Sequence, residues 1–70
     1  MSEQIDQAFT SHVMNGAQSE RAATIRASAK QLAQLIEQEC AVGRERSLAL
    51  TNLEQASFWA VAAIAREVKP

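Results

Sequence analysis

A chain of 70 residues has room for one domain with a small core. A single cysteine cannot form a disulfide within the chain. One cysteine and one histidine also cannot supply the ligands of a zinc site, which needs about four. Seven Lys and Arg residues against eight Asp and Glu residues give a net charge of −1, so the composition provides no general attraction to DNA or to an anionic membrane. We therefore expect no metal, no cofactor, no DNA partner and no membrane partner.

Residues 1–16 are predicted to form a short N-terminal helix followed by a turn. The helix would run from Ser2 to about Phe9, and Asn15-Gly16 is typical of a turn. The stretch MSEQIDQ lacks the charged-then-apolar layout of a signal peptide. Together with a lone cysteine that we expect to be reduced, this pattern favours a cytoplasmic protein.

Residues 17–70 are predicted to form a hairpin of two long helices. The first helix would begin at Gln18 or Ser19 and end at Ala41. Its apolar residues recur at intervals of three and four, which defines one stripe of a helix. The stripe consists of Ala22, Ile25, Ala29, Leu32, Ile36 and Cys40. We interpret Cys40 as a core residue of this stripe rather than as a reactive thiol.

The connection between the two helices is predicted to be short. Val42-Gly43 would end the first helix, with Gly43 in the left-handed conformation that favours glycine. Residues 44–46 would complete the loop, and Ser47 would cap a second helix that runs to about Val68. A loop of this length folds two helices back on each other, so the sequence predicts an all-α antiparallel hairpin.

The second helix carries a segment that is apolar around its whole circumference. Residues 56–65 read ASFWAVAAIA, in which only Ser57 is polar. Such a helix must be covered on all sides, and one partner helix covers only one side. Phe58 and Trp59 point in different directions, so at least one of them should face another subunit. The sequence therefore predicts a symmetric oligomer.

Two ends of the predicted hairpin could attract an anion. At one end Arg66 would lie near Arg21, within about a turn of Arg26 and close to the loop that carries His12. The positive end of the middle helix lies there as well, and its free N–H groups with arginine side chains suit a phosphate. Alternatively, Arg66 only complements the negative end of its own helix, and His12 is a loop residue that forms hydrogen bonds.

The opposite end carries Arg44 and Arg46 before the second helix, with the hydroxyls of Ser47 and Thr51 nearby. These side chains define a second candidate anion site. The alternative is that both arginines are ordinary surface charges. Phe58 and Trp59 are packing residues first, although an aromatic ring at a subunit boundary also suits stacking on a base.

Catalytic chemistry has no support in the sequence. The apolar face carries no pair of carboxylates, no Cys–His couple has a suitable spacing, and there is no glycine-rich phosphate loop. No helix presents the basic face that helix-turn-helix binding of DNA requires. We expect a protein that is not an enzyme and has no catalytic residue.

The stretch RERSLALTNLEQASFWAVAAIAR, residues 44–66, resembles the helical-hairpin domain shared by phage anti-CBASS and anti-Thoeris sponge proteins. The family pattern is Arg-Glu-x-Ser-Leu-Ala-x-Thr-x-Leu-Glu-x-Ala followed by Trp-Ala-x-Ala-Ala-Ile-Ala-Arg. Upstream, Phe9-x-x-His12, then Gln18 and Ile25-Arg26, also resemble the family arrangement. The resemblance covers about residues 9–66.

This resemblance implies a hexamer of hairpins that sequesters cyclic oligonucleotide messengers of bacterial anti-phage defence and holds them intact. Cyclic dinucleotides would lie between neighbouring subunits, and cyclic trinucleotides would lie in separate pockets. The implied ligand-binding residues are Arg26, Arg66, Arg44, Ser47, Thr51, His12 and Phe9, with Arg26 the first candidate for a phosphate contact.

The chain departs from the family pattern at three places. Ala22 stands where relatives often carry an aromatic residue, and Val13-Met14 replace two prolines that often follow the family histidine. The β-rich region of the anti-Thoeris type is also missing.

The competing hypothesis is a structural or protein-interaction module that oligomerises through the hairpin and binds no nucleotide. A third hypothesis, a nuclease or cyclase-like enzyme, requires a carboxylate cluster that the sequence lacks.

Overall fold

The computed structural model describes residues 13–67, and all regular secondary structure in that range is α-helical. Helix α1 spans Gly16–Glu39 and helix α2 spans Arg44–Ala65. The predicted all-α hairpin is thus confirmed. The predicted short helix ending near Phe9 lies outside the described residues, and so do the candidate site residues Phe9 and His12.

Helix α1 begins with a reciprocal cap. The side-chain oxygen of Asn15 accepts a hydrogen bond from the backbone N–H of Gln18 at 2.8 Å, and the side-chain oxygen of Gln18 accepts one from the backbone N–H of Asn15 at 3.1 Å. Because this cap satisfies N–H groups that have no partner inside the helix, the helix begins directly after Asn15. The prediction of a turn at Asn15-Gly16, and of a helix beginning at Gln18 or Ser19, was wrong.

The end of α1 also differs from the sequence prediction. The helix ends at Glu39, and Cys40 is its extended C-cap with φ −109° and ψ 135°. The backbone N–H of Cys40 still donates to the carbonyl oxygen of Ile36 at 2.9 Å. Its side chain is exposed because it lies beyond the part of α1 that packs on α2. The predictions that Ala41 is helical and that Cys40 is a core residue were therefore wrong.

Gly43 begins the second helix instead of ending the first. It is the N-cap of α2, with φ 167° and ψ −178°, which is extended backbone and not the left-handed conformation we predicted. The backbone N–H of Ser47 donates to the carbonyl oxygen of Gly43 at 3.1 Å, which is the first bond of the helix. Residues 44–46 are therefore helical, and Ser47 is not the cap. Glu45 in the first turn complements the positive end of the helix.

Helix α2 ends earlier than predicted, at Ala65 instead of about Val68. Arg66 is the C-cap, and its backbone N–H donates to the carbonyl oxygen of Ala62 at 3.0 Å. The two helices run antiparallel, as the short connection of residues 40–43 requires. At one end the side-chain amide of Gln18 donates a hydrogen bond to the carbonyl oxygen of Ile64. At the other end Arg46 forms an ion pair with Glu37.

The single chain buries little apolar surface. Among residues 13–67 the buried apolar side chains are Ala22 and Ile64. They are flanked by a half-buried seam along which the two helices face each other, formed by Ile25, Ala29, Ala33, Ile36, Leu50, Leu53, Ala60 and Val61. The predicted stripe of α1 is confirmed over Ala22–Ile36, except that Leu32 is 47% exposed at its edge.

Candidate ligand-binding groove

One side of the hairpin carries a groove between α1 and α2. Its first cavity, of about 370 Å³, is lined by Arg26 from α1 and by Glu54, Ser57, Phe58, Val61, Ala62 and Ala65 from α2. A second cavity, of about 310 Å³, is lined by Ala29, Lys30, Ala33, Leu50, Leu53 and Glu54. Glu54 lines both cavities, so they are parts of one surface. We call the first cavity, with its seven lining residues, the Arg26 groove.

Helix spacing explains why these side chains meet. Glu54 and Phe58 are four residues apart on α2, and Arg26 and Lys30 are four apart on α1, so each pair lies on one flank of its helix. The antiparallel arrangement places the two flanks on the same side of the hairpin. The groove therefore joins a guanidinium, a carboxylate and an aromatic ring that are far apart in the chain.

The charged groups of the Arg26 groove are available to a ligand. Among residues 13–67 the ion pairs are Arg21–Glu67 and Arg46–Glu37, and neither Arg26 nor Glu54 takes part in them. Ser57 adds a hydroxyl, which both donates and accepts hydrogen bonds. The groove can thus offer donors to an anion and a carboxylate acceptor to N–H groups.

The predicted anion site at the open end of the hairpin is only partly assembled. Both terminal nitrogens of Arg21 donate to the carboxylate of Glu67, at 2.8 and 2.7 Å. These hydrogen bonds, and secondarily the charge of Glu67, raise the pKa of Arg21 above its ordinary value. The guanidinium of Arg21 is therefore already paired with the carboxylate of Glu67. Arg66 is exposed at the C-cap of α2, at the same end as Arg21, whereas Arg26 lines the groove along the side of the hairpin.

The predicted anion site at the closed end is divided as well. Arg46 is half-buried and pairs with Glu37 at 3.6 Å, so it stabilises the hairpin beside the connection. Arg44, Ser47 and Thr51 are exposed, and their intervals of three and four residues place them on one flank of α2. Glu54 and Phe58 continue the same intervals. These three candidates therefore lie along the helix flank that leads into the Arg26 groove.

A third cavity of the hairpin has a different chemistry. This cavity of about 260 Å³ is lined by Ile25, Ser28, Ala29, Leu32, Leu53, Ala56, Ser57 and Ala60, none of which is charged. It shares Ser57 with the Arg26 groove, but it suits apolar packing and offers no cation to a phosphate. The candidate site for an anionic ligand is therefore the groove that carries Arg26.

Glu54 and Phe58 are groove residues that sequence reasoning did not assign to the site. Glu54 was noticed only as part of a motif, and Phe58 only as an apolar residue with the capacity to stack. Arg44, Ser47 and Thr51 follow one another at intervals of three and four residues on one flank of the helix. The same intervals continued from Thr51 lead to Glu54 and then to Phe58, so this pattern could have identified both.

Neither helix described in residues 13–67 has the length and hydropathy that a membrane-spanning segment requires. The same residues contain no group of three His, Cys, Asp or Glu side chains placed to hold a metal ion.

Comparison with known proteins identifies the domain. A protein-family model described as "Acb2/Tad1, hairpin domain" matches residues 1–65, which is nearly the whole chain. No curated protein and no solved structure matches the chain. The family is associated with a non-catalytic sponge function against CBASS and Thoeris defence. With its two-helix hairpin and its match over residues 1–65, the chain belongs to the Acb2/Tad1 hairpin-domain family of anti-CBASS and anti-Thoeris sponges.

Proposed function

We propose that this protein sequesters cyclic di- or trinucleotide immune messengers without changing them, and that it thereby antagonises bacterial anti-phage defence. The observation that carries the proposal is the match of the family model to residues 1–65. Its place of action would be the cytoplasm of the infected host cell, where such messengers act on their effectors.

The Arg26 groove supports this function physically. A guanidinium holds a phosphate through parallel charge-assisted hydrogen bonds, and Arg26 forms no ion pair within residues 13–67 that would compete. The volume of about 370 Å³ lies within the range of roughly 300–1,000 Å³ that is common for small-molecule sites. Phe58 supplies an aromatic surface in the same cavity.

The remaining candidate residues form a wider proposed contact set. Arg66 at the end of α2, and Arg44, Ser47 and Thr51 on its flank, are exposed in the single chain. They are accessible to a ligand that also touches a neighbouring subunit. Phe9 and His12 complete the set proposed from the family resemblance.

Assembly into a symmetric homo-oligomer, a hexamer by the family resemblance, is part of the proposal. Several large apolar side chains of the helices that do not line the Arg26 groove stay exposed in the single chain: Leu32, Leu35, Leu48 and Trp59. Surfaces of this kind are covered by other protein in stable assemblies. The competing function, an oligomerisation module without a nucleotide ligand, uses the same surface, so only a binding measurement separates the two.

The test is native mass spectrometry of the purified protein, alone and with a panel of cyclic di- and trinucleotides. We expect an oligomer that gains the mass of an intact ligand, and we expect heat to release that ligand with its mass unchanged. An oligomer that gains no ligand across the panel would favour the interaction module. Release of a hydrolysed or linear nucleotide would contradict non-catalytic sequestration.

A further inference from the structure

We infer that the Arg26 groove is selective for guanine: the base stacks on Phe58, the carboxylate of Glu54 accepts hydrogen bonds from its Watson–Crick edge, and Arg26 holds a phosphate of the same ligand. This inference rests on the proposed function and adds the identity of the base. Its basis is the meeting of a carboxylate, an aromatic ring and a guanidinium in one cavity.

Phe58 has a defined ring that is accessible to a base. Its side chain lines the groove and is 65% exposed in the single chain. An edge-to-face contact with Trp59, with ring centroids 5.4 Å apart and planes at 77°, restricts its orientation. A ring held in this way loses little freedom when a base stacks on it. Phe58 thus provides an aromatic surface from α2.

Glu54 stands one helical turn from Phe58, and side chains with this spacing lie about 5–6 Å apart at their Cβ atoms. That interval places a carboxylate beside the edge of a base stacked on the ring. A carboxylate in a groove that binds a phosphate lowers affinity by repulsion unless it faces hydrogen-bond donors. The donors that a nucleotide ligand can offer are the N–H groups of its bases.

Guanine matches a carboxylate better than the other bases do. Its N1–H and its exocyclic amine are adjacent donors, so the two oxygens of an ionised carboxylate can accept both bonds in parallel. Adenine and cytosine each present a single amine with an acceptor nitrogen next to it, and that nitrogen would face the second carboxylate oxygen. Uracil has one ring N–H between two carbonyl oxygens. The chemistry of the groove therefore points to guanine.

The test compares the affinities of cyclic di- and trinucleotides that contain guanine, adenine or hypoxanthine, by calorimetry on the full-length protein at one salt concentration. Hypoxanthine keeps the N1–H of guanine but lacks the exocyclic amine. We expect guanine ligands to bind at least about 10-fold more tightly than adenine ligands, with hypoxanthine ligands between them.

Two substitutions assign the preference to the groove. Glu54→Gln replaces one acceptor oxygen with a donor amide, so it should reduce the guanine-to-adenine ratio to near one. Glu39→Gln makes the same change of charge at an exposed position away from the groove and should leave the ratio unchanged. Phe58→Leu should weaken the binding of every ligand, whatever its base, by about 5-fold or more, whereas Phe58→Tyr keeps the aromatic ring and should retain affinity. Native mass spectrometry of each variant checks that its assembly is retained.

The outcomes separate this inference from the proposed function. Equal affinity for guanine and adenine ligands, or a guanine preference that survives in Glu54→Gln, would overturn guanine selectivity and leave sequestration intact. Absence of binding across the whole panel would overturn both. A guanine preference that Glu54→Gln removes and Glu39→Gln keeps would support both.

Discussion

The side-chain amide of Gln18 donates a hydrogen bond of 2.9 Å to the carbonyl oxygen of Ile64, 46 residues later in the chain. The oxygen of the same amide accepts the backbone N–H of Asn15, so one buried side chain joins the cap of α1 to the last turn of α2. Gln18 is only 5% exposed, and both ends of its amide have a partner. This residue therefore fixes how the two helix ends meet.

Gln18→Ala should lower the free energy of unfolding by about 1–3 kcal/mol, because it removes two hydrogen bonds from a buried position and leaves the N–H of Glu67 as the remaining donor to the carbonyl oxygen of Ile64. Urea denaturation followed by circular dichroism measures this change. Gln31→Ala is the matched control, since Gln31 is exposed on α1 and alanine favours helix. Equal stability of the two variants would contradict a structural role for the Gln18 amide.

Gly43→Ala should keep the protein folded and change the free energy of unfolding by less than about 1 kcal/mol. The backbone of Gly43 is extended, so alanine adopts it and also restricts the unfolded chain, which offsets the preference for glycine over alanine at an N-cap. An added Cβ would meet only the Oε1 atom of Glu45, at an ordinary contact distance of 3.8 Å. Thermal unfolding of the variant tests this expectation. A larger loss of stability would indicate that the position requires glycine after all.

Trp59→Ala should dissociate the proposed oligomer. Trp59 is 60% exposed in the single chain, so an assembly has to cover it, and truncation of a large aromatic side chain that becomes buried costs about 3–5 kcal/mol. The mass in solution, measured by light scattering, reports the assembly directly. Val42→Ala is the control, because Val42 is 88% exposed in the connection between the helices. An unchanged mass for Trp59→Ala would place the interface elsewhere.

Arg26→Gln should weaken cyclic nucleotide binding by about 10- to 100-fold, as expected for the loss of a charge-assisted hydrogen bond to a phosphate. Arg26→Lys retains the charge without the planar fork and should have an intermediate affinity. Calorimetry at two salt concentrations measures both effects. The affinity of the Arg26→Gln variant for the ligand should depend less on salt concentration than that of the unaltered protein. Full affinity in Arg26→Gln would exclude Arg26 from the phosphate contact.

The hairpin was predicted correctly from the sequence, whereas the ends of its helices were not. The intervals from Ala22 to Ile36 determine which side of α1 faces α2, and the short connection requires an antiparallel return. Helix ends depend on choices among several polar residues. Asn15 and Gly43 act as caps here, although Ser19 and Ser47 have equally suitable chemistry. Asn15 with Gln18 three residues later is the sequence pattern of a capping box, which the prediction overlooked, whereas Gly43 has no side chain to mark it as a cap.

The groove could be anticipated only one helix at a time. Arg26 was predicted as a phosphate contact, and the structure places it beside Phe58 and Glu54 of the other helix. That meeting depends on the rotation of α1 and α2 about their axes, which periodicity defines only to within a broad stripe. The pairing of Arg21 with Glu67 was missed for a related reason, since Glu67 lies just beyond the end of α2.

The small core of the single hairpin, with Ala22 and Ile64 as its buried apolar side chains among residues 13–67, has a consequence for how the protein accumulates. When subunits supply the missing burial, folding and association become one equilibrium, and stability rises with the total concentration of chain. The melting temperature should then increase on simple concentration of the sample. In a cell, folded assemblies would become abundant only above a threshold of synthesis, and capacity to hold a ligand would rise more steeply than the number of chains made.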